Sequence, residues 1–181
     1  MPRLRFFAVL VAMLGPAALA HHAPNSFVRF DFRAREVRAE LMMPESELAF
    51  ALREPSAVAL PAYLLQHVGA STAQGAAWTI AVGAVRETRY LDQPYFVAEL
   101  RLVPPAGGSL RDFVFTNDAI THEVRNHLVV VVAEHDYADA ALMEAPRLLG
   151  ALQYPVRQLV IRRPADASSG PARRPVRAPE K

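Results

Sequence analysis

The sequence predicts a mainly β domain: an antiparallel β-sandwich of the Ig-like or Greek-key type with a small helical insertion. Three observations predict it. Apolar and polar residues alternate with a period of two through much of residues 21 to 163, the strand-like runs are short and bounded by turn signals, and no βαβ alternation calls for a parallel sheet. A hydrophobic content of 52% against 21% charged residues suits a packed core. With no cysteine in the chain, that core is held by packing and not by disulfides.

The elements follow in order. Val28, Phe30 and Phe32 alternate with Arg29, Asp31 and Arg33; after a short turn, Val37, Ala39 and Leu41 alternate with Arg38 and Glu40, which predicts a hairpin with one buried face. Pro44 suits a first helical turn. Glu45 and Glu47 then stand at the dipole-favoured end, and Leu48, Phe50, Ala51 and Leu52 supply the apolar side of a short helix. A second helix is expected from about Pro61 to Val68, with Tyr63, Leu64 and Leu65 toward the core and Gly69 ending it. The strand signal returns in Trp78, Ile80 and Val82 and again from Tyr95 to Val103. Pro104-Pro105 and Gly107-Gly108 mark a turn before Phe113 to Phe115. Leu128 to Ala133 is continuously apolar, the pattern of a central strand covered on both faces, and Val156 to Ile161 reads as the last strand.

The two ends have a different character. Arg3 and Arg5, the apolar run Phe6 to Leu14, the break at Gly15-Pro16 and the small-x-small box Ala18-Leu19-Ala20 read as an export signal over residues 1 to 20. The mature chain is therefore expected to start at His21, in the periplasm or secreted. No stretch approaches the roughly 18 apolar residues of a spanning helix, so no transmembrane segment is expected in the mature chain. Residues 164 to 181 are proline-rich, small and basic, and read as a disordered tail. Without these ends the domain is close to neutral and lacks the electrostatic footprint of a nucleic-acid binder.

The chemistry-bearing residues are concentrated. Of the six histidines, His67 falls on the second expected helix among apolar residues and reads as a packing or surface residue. The others stand at the mature N-terminus, as His21 and His22, or between Asn117 and Asp136, together with Asp118, Glu123 and Asp136. An N-terminal histidine offers a metal both its α-amine and its imidazole. Imidazole and carboxylate together suit zinc, copper, nickel or iron. His122 and His127 stand five apart, which matches no standard signature, and no second histidine completes HExxH after His122-Glu123. The metal-free alternative is that Asp118 and His122 hydrogen-bond a tight turn while His127 caps a strand. Hydrolase signals are weaker: no GxSxG elbow or cysteine nucleophile is present, and a set drawn from Ser26, His122 and Asp118 has no local motif around the serine.

The segment His21-His-Ala-Pro-Asn-Ser26 ahead of two alternating strands, with the run Asp112-Phe-Val-Phe-Thr-Asn-Asp-Ala-Ile-Thr-His-Glu-Val-Arg-Asn-His-Leu-Val-Val-Val132, resembles the extracytoplasmic N-terminal region of HupE/UreJ-like membrane proteins. Trp78 to Gly83 and Val103 to Gly107 fall at equivalent places in the order, so the resemblance spans nearly all of residues 21 to 163. It implies an exported, non-enzymatic metal-binding or metal-delivery accessory domain with His21, Asp118, His122 and His127 as ligands of nickel, copper, cobalt or zinc. The family carries membrane helices after this region and this chain does not, so a membrane transporter subunit is the implied partner. Two readings from other classes stand beside it: a copper histidine-brace redox protein, and a metal-free module that docks on a membrane partner.

Overall fold

The computed structural model describes residues 24 to 137 and 145 to 162. The expected export signal, the mature start at His21 and the basic tail lie outside the described residues. Within them run β1 (Ser26–Phe32), β2 (Val37–Pro44), α1 (Glu45–Ala51), α2 (Leu60–His67), β3 (Val68–Ser71), β4 (Thr79–Tyr90), β5 (Gln93–Val103), β6 (Asp112–Asn117), β7 (Val129–Asp136), β8 (Arg147–Leu152) and β9 (Gln158–Arg162). A six-stranded sheet of order β4-β5-β2-β1-β7-β8 faces a three-stranded sheet of order β3-β6-β9, and the two helices are inserted between β2 and β3. The protein is a β-sandwich with a small helical insertion. One pairing departs from the antiparallel expectation: β1 and β7 run parallel, Ser26 beside Val129.

The period-two reading succeeds where one face of a strand is buried. Val28, Phe30 and Phe32 pack inward from β1, and Val37, Ala39 and Leu41 do so from β2 in antiparallel register, Phe30 opposite Ala39. Across the core, the Phe30 ring meets Phe113 and Phe115 at centroid distances of 5.9 and 5.1 Å, both edge-on, and Trp78 lies 4.5 Å from Phe113. The outer face of the larger sheet is solvated and carries Arg29, Glu40 and Arg101. The continuous apolar run of β7 is consequently covered on one face alone. Val129, Val131 and Ala133 are buried, whereas Val130 and Val132 stand half-exposed beside Phe27 and Arg29.

Other boundaries are corrected by local geometry. Pro44 closes β2 and caps α1 from outside, and Phe50 points to solvent, so Leu48 alone carries the buried side of that helix. The start of α2 is held by Ser56, whose Oγ accepts a hydrogen bond from the Ala59 N–H at 3.1 Å; Leu60 and Leu64 are buried, while Leu65 is exposed. Gly69 does not end this helix. Val68 is already extended, and Gly69 sits inside β3 opposite Thr116 of β6. The last strand begins at Gln158, two residues later than expected, because Val156 is engaged in an isolated bridge to Gln153.

Candidate metal centre

The pairing of β3 with β6 builds the site. Val68 stands opposite Asn117, which brings His67, the last residue of α2, beside Asp118, the first residue after β6. The Asp118 N–H donates to the His67 carbonyl at 3.1 Å and locks the two segments together. A tight turn follows. Asn117 Oδ1 accepts from the Ala119 N–H at 3.1 Å, the His122 N–H donates to the Asp118 carbonyl at 3.2 Å, and the Val124 N–H donates to Ile120 at 2.9 Å. Ala119, Ile120 and Thr121 are buried and anchor the turn to the core. His122 emerges from it and stacks on His67, with ring centroids 4.4 Å apart and planes 16° from parallel.

The hydrogen bonds decide which nitrogen of each ring is free. His67 Nδ1 lies 2.9 Å from Asp118 Oδ1, and an ionised carboxylate only accepts, so Nδ1 carries the proton. His122 Nδ1 lies 2.6 Å from the Asp118 backbone carbonyl, which likewise only accepts. In their neutral forms both rings therefore keep a lone pair on Nε2. A carboxylate or carbonyl behind Nδ1 is the arrangement that orients imidazoles in metal sites. The potential ligand atoms of His67, Asp118 and His122 all lie within 4.8 Å of one another, and all three residues are partly buried. This donor set of two imidazoles and one carboxylate fits a borderline transition metal. The near-parallel planes leave the two in-plane lone pairs side by side, so sharing one ion requires a ring to swing out of the stack.

The surroundings hold Asp118 ionised. Burial acts to raise its carboxyl, but hydrogen bonds from His67 and from Arg157, whose Nη1 is 3.1 Å from Oδ2, outweigh that and hold it below the usual carboxylate range. Tyr63 closes one side, its ring 4.4 Å from His67 one helical turn away and its hydroxyl donating to the Ala119 carbonyl. Burial, followed by the charges of Asp118 and Glu123, raises the Tyr63 phenol far above its ordinary value, so it stays protonated.

The structure divides the sequence-predicted ligand set. Asp118 and His122 come together, joined by His67, which the sequence suggested was only a packing residue. His127 is not part of this group. It is buried elsewhere, with Nε2 2.8 Å from Ser26 Oγ. His21 lies outside the described residues. The set drawn from Ser26, His122 and Asp118 does not form, because the serine is bonded to His127. His135 belongs to the outer face of the larger sheet, where Nδ1 meets Asp31 at 2.8 Å. No family model and no curated protein matches the chain. The chemical reading accordingly rests on the residues themselves. His67 had one usable sequence signal: as the last residue of an amphipathic helix, one turn after Tyr63, it faces wherever the following strand leads.

Proposed function

We propose that this protein is an exported, non-enzymatic domain that binds a transition metal ion through His67, Asp118 and His122, and that it serves as an accessory to a membrane transporter. One observation carries the reading. Two imidazoles, each with Nδ1 committed to an acceptor on the same residue, present free Nε2 atoms on one partly exposed face. His67 and His122 would hold the ion, with Asp118 as ligand or as the carboxylate that orients and charges His67. Such a site supplies capture and release. A proton competes for the same lone pairs, so binding weakens as the pH falls. The alternation and motif order shared with HupE/UreJ-like ectodomains support the accessory role, and the small-x-small box before His21 supports export. Among the described residues no helix is long and apolar enough to cross a membrane.

Equilibrium binding of nickel, copper(II) and zinc tests the proposal. At least one should bind more tightly than about 10 μM, equivalent to roughly −7 kcal/mol. The His67→Ala/His122→Ala double variant should lose that ion while keeping its fold. Binding weaker than this for all three metals, or unchanged in the double variant, overturns it.

A further inference from the structure

Away from that face, a second pair of donors is buried without partners. His127 is 1% exposed, and its Nε2 is satisfied by Ser26 Oγ, itself on a residue 1% exposed. Its Nδ1 faces Glu47 Oε2 at 3.9 Å, and neither of these two atoms has a hydrogen-bond partner. That distance is too long for a direct hydrogen bond. Burial brings the His127 imidazole down to about 4, so it is neutral at neutral pH and forms no ion pair with Glu47. Ser26, His127 and Glu47 follow the order of a hydrolytic triad, but a serine this deeply buried offers Oγ to no substrate. A bridging species fits better. When Ser26 Oγ accepts the Nε2 proton, Nδ1 presents a lone pair, and two metal–ligand bonds of about 2.1 Å each span the gap to the carboxylate oxygen.

The route of the chain points to the remaining ligands. The Asn25 carbonyl accepts from the Tyr95 hydroxyl at 3.2 Å, Tyr95 pairs with Pro44, and Pro44 leads directly into the helix that carries Glu47. Ser26 opens β1 beside Val129, two residues after His127. The N-terminal segment thus joins the fold at the corner where Glu47 and His127 meet. Four residues separate His21 from Asn25, a reach of at most about 14 Å.

We infer that Glu47 Oε2 and His127 Nδ1 are ligands of a second transition-metal site, which the α-amine and imidazole of His21 complete once the chain is cut after Ala20. This rests on the export-signal reading and not on the His67–Asp118–His122 site. The test is metal stoichiometry with copper(II), nickel and zinc on protein whose His21 start is verified by mass. The parent should bind two ions per chain, and His67→Ala/His122→Ala should keep one. Glu47→Gln, which preserves shape, and a form with one alanine added before His21 should each lose the second ion, with affinity falling at least tenfold. Melting in chelator should show both variants folded. Two ions retained in Glu47→Gln or in the extended form, as expected if a water alone bridges the pair, overturns the inference. An ion lost in the double variant with Glu47→Gln unaffected overturns this site and leaves the first. The converse overturns the first site and leaves this one.

Discussion

Acidification should destabilise the metal-free fold through one residue. His127 titrates near its ordinary 6.5 when unfolded and at about 4 when folded, because burial disfavours its charged form. The unfolded chain then takes up the proton more readily. The stability held by neutral His127 is fully present above 6.5 and is lost as the pH falls toward 4. At 1.36 kcal/mol per pH unit, the loss is about 2.5 kcal/mol by pH 4.5 and about 3 kcal/mol at completion. The groups facing the ring are Ser26, which does not titrate, and Glu47, whose carboxyl burial raises. Glu47 acts in the opposite sense, since its protonation relieves a buried charge and favours the folded state at low pH. Subtraction separates the two: urea unfolding in chelator at pH 7.5 and 4.5, for the parent and for His127→Gln, followed through Trp78, the single and buried tryptophan. The parent should lose about 2.5 kcal/mol more than the variant between the two pH values. Equal losses would show that His127 protonates in the folded state without penalty, and the burial argument would fail.

Three further outcomes are expected. Phe30→Ala, at the meeting point of the two sheets, should cost about 3 to 5 kcal/mol in urea unfolding through lost burial and a residual cavity. Arg157→Ala should change stability by less than about 1 kcal/mol, because the guanidinium is mostly exposed, yet Asp118 should titrate higher by NMR once one of its two donors is gone. Asp118→Asn should reduce metal affinity by roughly 10- to 100-fold, as expected for removing the carboxylate behind a ligating imidazole, with the fold intact by circular dichroism.

What was legible in the sequence was local. The hairpin of β1 and β2 can be read because Phe30, Phe32, Val37 and Ala39 alternate within a few residues of one another and face one core. The pattern of β7 misled, since Val130 and Val132 are apolar on a solvated face. The edge strand β8 went unseen because Arg147 to Leu152 is largely exposed and does not alternate. The site divides along the same line. Asp118 and His122 are joined by a turn of four residues, whereas His67 reaches Asp118 across 51 residues through the short pairing of β3 with β6, and Val68-Gly-Ala-Ser71 carries little strand signal. His127 looked like a companion of His122, but the Val124-to-His127 turn directs it inward to a serine 101 residues away. Spacing could not separate these two histidines. Partner atoms do: a backbone carbonyl on Nδ1 frees Nε2 of His122, and a serine hydroxyl on Nε2 frees Nδ1 of His127, so histidines five residues apart present opposite nitrogens to different places.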